Sequence, residues 1–559
     1  MITFRLAYIA LIVMTGYGWL QAAPLADPRA WGDQGDGTYR NPILPGDYSD
    51  PDVIRVGPDY YLITSSFQYS PGMALLHSKD LVNWSFNGHC FADLTQIGPE
   101  LNWDRMNRYG RGIYAGSIRY HQGKFWVFTT TLDEGQFMTV AAKPEGPWAP
   151  AHKLWDRLGT DDNCPFWDDD GQAYMIFSTP GPKWYTRIVR MAADGKSVDP
   201  TSERVIDAHQ TSEGNKIYKI NGLYYIFHNE CVFAGPGDRI TERVGVFMRS
   251  KNIWGPYEKR VVLRGRRTPG FEGEPNQGGL VQTEKGDWWF ITHQGSGAFN
   301  GRASSLLPVV WKDGWPVIGE PDESGVGTIS WSGNKPVLGF PAHAPQASDD
   351  FSSPNLGQQW EWNYQPRMDK WSLTQRPGYL RLHAYKPMQR AERLDPRATA
   401  FPSGVLLNVG NILTQRLMTP AGGIATAKLD LSGLQDGQTA GLSLFSKDYG
   451  ALAVHQEKGR RRIEYLTNEL TRAGPEIEGD VLWLRGMIDD NGLATFGLSS
   501  DGRQFSSFGE TYKLKWSWYR GVRFALFTYH ETAEAGWVDI DSFDYTFPGP
   551  PPHPGEKQP

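Results

Sequence analysis

Short runs in which apolar and polar positions alternate fill most of this chain, broken by Gly, Pro, Asp and Asn, and helical spacing is scarce. That pattern predicts a nearly all-β protein made of many short strands. One phrase recurs: a turn closed by Gly and then an aromatic strand, at Gly57–Thr64, Gly123–Thr129, Gly171–Phe177, Gly222–Phe227 and Gly286–Thr292. Five copies, roughly 50 to 65 residues apart, predict a five-bladed β-propeller with about four strands per blade. A second phrase, at Ser78–Trp84, Lys143–Trp148 and Ser250–Tyr257, follows three of the repeat strands and marks the outer edge of a blade. After Gly319 the sequence loosens, and Pro341–Ser348 reads as a linker. From Asp349 onward, alternating strands without the repeat predict a β-sandwich. The expected organisation is a leader at 1–23, a propeller catalytic domain at 24–345, a sandwich at 346–548 and a Pro-rich tail at 549–559.

The leader begins with Arg5, continues as a mostly apolar run from Leu6 to Leu20 and ends in the small residues Ala22 and Ala23. This is the pattern of a cleaved signal peptide, so the chain is expected to be exported, to a periplasm or beyond the cell. Thr15, Gly16 and Gly18 interrupt the run, which falls short of the roughly 20 residues of a membrane span. No membrane partner is expected after cleavage. The three cysteines, Cys90, Cys164 and Cys231, lack metal-ligand spacing and allow at most one bridge. A net charge of −6 without a basic block carries no nucleic-acid footprint. Nothing in the sequence sets an oligomeric state. The 22 Trp residues pack cores, and their flat faces also stack on sugar rings.

Inner propeller strands converge on a central channel, so catalytic candidates are sought where blades begin. Asp50, Asp162 and Glu213 stand before the first, third and fourth copies of the repeat, in what read as equivalent places. Hydrolysis of a glycosidic bond needs one carboxylic acid to protonate the leaving oxygen and one carboxylate to activate water or attack carbon. A third acid tunes the other two. Taken singly, an Asp before Pro is a turn residue and a Glu before Gly a loop residue; the shared placement makes the three a candidate site. Gly-x-Ser-x-Gly, His-Glu-x-x-His and a phosphate loop are all absent from the sequence.

The stretches Arg40–Asp52, Asp59–Leu62, His77–Trp84, Pro165–Gly171, Ser212–Gly214 and Asp313–Pro316 closely resemble glycoside hydrolase family 43. The likeness runs from about residue 38 to 320, and the remainder resembles the concanavalin-like sandwich of the family's β-xylosidase-type members. It implies an inverting hydrolase that releases xylose or arabinose from hemicellulose, as a β-xylosidase or α-L-arabinofuranosidase. It also implies that Asp50 is general base, Glu213 general acid and Asp162 the modulator of that acid's pKa. Asp52 and Asp161 are acidic neighbours that the family pattern passes over. Arg302, in Asn300–Arg302, matches the family's Gly-Arg motif and is expected to bind sugar hydroxyls. Glu213 is expected to be kept protonated by burial and by the charge on Asp162.

Two positions depart from the family pattern. Gln277 stands where many members carry a His that can hold a central metal, so no cofactor is required and a central calcium lacks that ligand. His293 is read as a core or hydrogen-bonded residue, and Asp349 and Asp541 as acids through which the sandwich could bind calcium. Tyr114 replaces a common Trp and is expected to reshape one pocket wall, and Gln277 and Tyr114 are expected, with Arg302, to bind substrate. Two rival readings are a non-catalytic carbohydrate-binding propeller and a retaining fructan hydrolase. The second expects Asn-Asp-Pro-Asn, where this chain has Ser49–Asp52.

Overall fold

The computed structural model describes residues 32–548, apart from 235–238, 269–270, 274, 295–298, 390–402, 419–421, 490, 516 and 518–519. The leader and the Pro-rich tail lie outside the described residues. Five blades of four antiparallel strands follow one another, as the repeat predicts, and the sheet of the fourth is extended to six strands by Gly327–Thr328 and Glu320–Pro321 at its outer edge. Their innermost strands are Asp52–Val56, Gly116–His121, Asp161–Trp167, Glu213–Ile220 and Asn276–Gln282. The repeated phrase is the turn out of this strand plus the second strand. Its Gly takes φ between 60° and 94° in all five copies, a conformation other residues adopt only at a cost. The second phrase is the turn between third and fourth strands, where Trp84 Nε1 donates to Leu81 O and Trp148 Nε1 to Pro144 O.

Apolar residues on neighbouring blades meet in separate cores. Ile63 and Leu75 pack with Val127 between blades 1 and 2, and Phe128 with Met175 between blades 2 and 3. Ile176 packs with Ile226 between blades 3 and 4, and Phe227 with Phe290 between blades 4 and 5. Each such side chain contributes about 1.5–3 kcal/mol on burial. At the closing junction, Leu62 of blade 1 and Ile291 of blade 5 join a core that continues through Trp360, Leu442 and Phe524 of the C-terminal domain. Asn41 fastens the same junction: its Nδ2 donates to Leu306 O and Ser330 O, and its Oδ1 accepts the Leu306 N–H.

The C-terminal domain is a concanavalin A-like sandwich of two eight-stranded sheets. One sheet takes its edge strand, Tyr69–Ser70, from blade 1, paired with Glu361–Asn363. Fully buried Glu361 accepts hydrogen bonds from Arg416 Nη2 at 2.8 Å and from Arg523. Burial alone would raise its carboxyl, but the two guanidiniums and His89 hold it well below the usual range. Asp349 accepts from Trp360 Nε1 and Phe351 N–H, and Asp541 pairs with Lys428, so these acids are committed to the fold. Cys90, Cys164 and Cys231 are buried, and none of them forms a disulfide among the described residues.

Candidate active site

The candidate acids owe their positions to a repeated irregularity. In blades 3, 4 and 5 the inner strand shifts register by one residue, between Asp161 and Cys164, Glu213 and Lys216, and Asn276 and Gly279. Such a bulge turns the chain and re-aims side chains. The residues just after its start, Asp162, Gly214 and Gln277, take left-handed φ of 52°, 82° and 56°. Blade 1 follows suit: Ser65 N–H donates to Ser49 O while Asp52 pairs with Ile63, and Asp50 has φ 56°. Asp50 and Asp162 therefore occupy the equivalent places read from the sequence. Glu213 stands one residue earlier, level with Asp161 and Asn276.

The offset sets two depths. Asp50, Asp162 and Gln277 are buried, whereas the Glu213 side chain is 22% exposed. Asp50 Oδ2 accepts from Ser65 Oγ at 2.5 Å and from Arg302 Nη2 at 2.9 Å. The Asp50 N–H donates to His293 Nδ1 at 2.8 Å, which places the imidazole proton on Nε2. Burial, and then the charges of Arg302 and Arg243, push His293 well below its ordinary value, so it is neutral.

Asp162 Oδ2 accepts the Gly214 N–H at 2.5 Å and Gln277 Nε2 at 2.9 Å. Gln277 is fixed by its own N–H, which donates to Asn229 Oδ1 at 2.6 Å. Burial, then the charge on Glu213, push Asp162 up to about 6. Asp161 is raised well above its ordinary value, first by burial and then by Asp162, Glu213 and Asp50. Glu213 Oε1 accepts from Arg243 and, at 3.2 Å, from Asn276 Nδ2.

Tyr114 lies before the inner strand of blade 2, half-buried, its ring edge-on to Phe67 at 5.4 Å. Burial pushes its hydroxyl up to about 12. Phe67 in turn lies 6.0 Å from the Arg302 guanidinium and 4.2 Å from that of Arg520, which the sandwich supplies. Asp52 belongs elsewhere: its Oδ2 accepts from Arg119 Nη1 and the Ile118 N–H. Arg119 also donates to Cys164 and lies over Tyr218, so it crosses the channel from blade 2 to blades 1, 3 and 4. Beyond it, a cavity of about 430 Å³ opens at the opposite mouth, among Arg55, Trp167, Tyr218 and Trp288.

Sequence reasoning found Asp50, Asp162, Glu213, Arg302, Gln277 and Tyr114, and the structure brings all six to one mouth of the channel. It missed Ser65, Phe67, Arg243, Asn276 and Arg520. Among the described residues, Asp207, His228 and Glu230 form the one grouping with metal-ligand chemistry, and Lys259 Nζ already stands in it, 2.8 Å from Asp207.

Carboxyl groups from separate blades, gathered with guanidiniums and aromatic rings at one end of a propeller channel, are the equipment of a glycosidase. The family model for glycosyl hydrolases family 43 matches residues 39–316, and that for the β-xylosidase C-terminal concanavalin A-like domain matches residues 348–546. A β-xylosidase of Formosa agariphila is 37% identical over 94% of this chain and 93% of its own. A non-reducing end α-L-arabinofuranosidase of Bacteroides ovatus is 33% identical over 62% of this chain and 65% of its own. Among solved structures, a bifunctional GH43-CE protein of Bacteroides eggerthii superposes with a TM-score of 0.77 at 30% identity. That likeness covers 90% of this chain and 63% of the other. The chain belongs to glycoside hydrolase family 43, and it is a hydrolase of that β-xylosidase and α-L-arabinofuranosidase family with a carbohydrate substrate.

Proposed function

We propose that this chain is an inverting, exo-acting glycosidase that removes one terminal xylose or arabinose at a time from hemicellulose chains or side branches. Asp50 is the general base. Its carboxylate, fixed by two donors, takes the proton of a water that attacks the anomeric carbon, while Glu213 protonates the departing oxygen. Asp162 lies beneath Glu213 and shares its charge. Because burial and the neighbouring carboxylate push Asp162 up to about 6, the pair holds a proton in mildly acidic solution. Arg302 fixes Asp50 and holds its guanidinium at the mouth, where it is suited to bind sugar hydroxyls.

The observation that carries this reading is the separation of roles among the acids. Asp50 is locked by Arg302, Ser65 and His293 on one side, while Glu213 rides on a partly exposed bulge on the other. Exo action is supported by Arg119, which crosses the channel below the acids and leaves one mouth for substrate. The reading assigns no cation to the channel. Gln277 turns its amide donor toward Asp162, and His293 Nδ1 is taken by the Asp50 N–H. Export is part of the proposal and rests on the leader pattern alone.

The test is the initial rate on chromogenic β-D-xyloside and α-L-arabinofuranoside, for wild type and Glu213→Ala, with the product anomer followed by NMR. Turnover of either sugar with inversion, reduced by about 10²–10⁴ in the variant, is the expected result. Retention of configuration or an unimpaired variant overturns the assignment.

A further inference from the structure

Asp161 carries more than its sequence suggested. It starts the bulge of blade 3 as Glu213 starts that of blade 4 and Asn276 that of blade 5, pairing with Ser178 as they pair with Asn229 and His293. All three of these residues are partly exposed, whereas Asp162 and Gln277, which follow Asp161 and Asn276, are buried. Asp161 thus stands on the outer level of the site, beside the residue assigned as the acid.

Its two carboxyl oxygens are used unequally. Oδ1 accepts the Asp162 N–H at 3.0 Å and the Thr130 hydroxyl at 3.3 Å. Oδ2 takes no hydrogen bond from the described residues. The other three acids each have a cation: Asp50 has Arg302, Glu213 has Arg243, and Asp162 has buried Lys216. Asp161 enters no ion pair among the described residues. The titratable groups that face it are Asp50 of blade 1, Tyr114 of blade 2, Asp162 and Glu213.

We propose that Asp161 is a substrate-binding residue, whose outward Oδ2 hydrogen-bonds one hydroxyl group of the sugar held between Asp50 and Glu213 and so selects sugars that carry it. Burial and three acidic neighbours raise this carboxyl well above its ordinary value, which favours the neutral form in which Oδ2 donates a hydrogen bond. A neutral acid in a desolvated site is a strong donor to an oxygen. A sugar lacking the partner hydroxyl leaves that donor unsatisfied, and discrimination follows from the loss.

The inference rests on the glycosidase reading, and its test separates the two. Rates are measured for wild type, Asp161→Asn and Asp161→Ala on aryl glycosides of the cleaved pentose, intact and lacking one ring hydroxyl at a time. Asp161→Asn, isosteric and a neutral donor, is expected to keep kcat/KM within about fivefold. Asp161→Ala is expected to lose about 10–100-fold on the intact sugar and nothing further on one of the deoxy sugars. Equal discrimination by wild type and Asp161→Ala across every deoxy sugar overturns the proposal. So does collapse of kcat in Asp161→Asn at unchanged KM, which would make Asp161 a reacting group. If Asp161→Ala does not fold, Asp161→Ser takes its place. A wild type inactive on every glycoside would sink the glycosidase reading alone. Calorimetry with the free pentose and its deoxy forms would then decide whether Asp161 meets the hydroxyl, by the same loss of discrimination in the variant.

Discussion

Asp162 Oδ2 accepts the backbone N–H of Gly214 at 2.5 Å, so the acid of the third blade is fastened to the turn that presents Glu213 in the fourth. Neither carboxyl can shift without the other. Their proton inventory is shared for the same reason, since the charge on Glu213 is the largest cause, after burial, of the rise in Asp162.

The rate should accordingly depend on that shared proton. As Asp162 titrates at about 6, kcat is expected to fall as pH rises above about 6. In Asp162→Asn the negative charge beneath Glu213 is gone, so the alkaline limb is expected to move to lower pH, with kcat down by at least about tenfold. A pH–rate profile of both proteins checks this.

The same substitution is expected to stabilise the fold. Asp162 takes a proton more readily folded, at about 6, than at its ordinary value of 3.8. Its contribution is therefore fully present below about pH 4 and lost as pH rises through about 6. Asn can accept both hydrogen bonds and carries no charge. Chemical denaturation should show Asp162→Asn more stable than wild type by about 1–3 kcal/mol at pH 8, and equal to it below pH 4.

His293 acts in the opposite direction. It is held neutral well below its ordinary 6.5, whereas the unfolded chain takes up the proton near that value. The stability it lends is present above about pH 6.5 and lost as pH falls, at about 1.4 kcal/mol per pH unit. Replacing it with Asn, which can still accept the Asp50 N–H, should flatten the decline between pH 6.5 and 5. Nitrogen NMR of the wild type should find its proton on Nε2 throughout that range.

Gly214→Ala probes the turn itself. With φ 82°, an added Cβ would lie 3.0 Å from Asn229 Oδ1 and 3.1 Å from Gln277 Oε1. We expect a loss of about 1–3 kcal/mol in a thermal or denaturant melt, and a fall in kcat as the Asp162 contact loosens.

Glu361→Ala should cost more than any change at the mouth. It would leave Arg416 and Arg523 buried without their carboxylate, an expense of about 3–5 kcal/mol. Because the junction of blades 1 and 5 shares its core with the sandwich, calorimetry should show one transition for both domains, shifted as a whole.

Much of this was legible in the sequence because a blade is a local object. Gly57, Gly123, Gly171, Gly222 and Gly286 each announce a turn and an aromatic strand, and the count of blades follows. The acids were legible by their place ahead of those strands. What could not be read was depth, because the bulge that separates Asp161 from Asp162 leaves no mark on an alternating pattern. A clue existed in the polar residues that stand opposite it, Ser178, Asn229 and His293, each seven residues after its turn glycine. Arg520 and Phe67 lie far apart in the chain and meet only because a strand of blade 1 enters the sandwich.

Arg119, lying across the channel, makes the pocket a cul-de-sac. If the proposed terminal sugar is cut loose at its inner end, the rest of the chain stands in the doorway. The sugar leaves only after the shortened polymer does, by the path on which the next chain arrives. On the exo-acting reading proposed above, the enzyme cannot thread along a strand and must let go after every cut. The monosaccharide product that this reading implies then contends with substrate for one entrance, so inhibition by that sugar is expected to be competitive, and the length of the chain outside should govern how often the door is free.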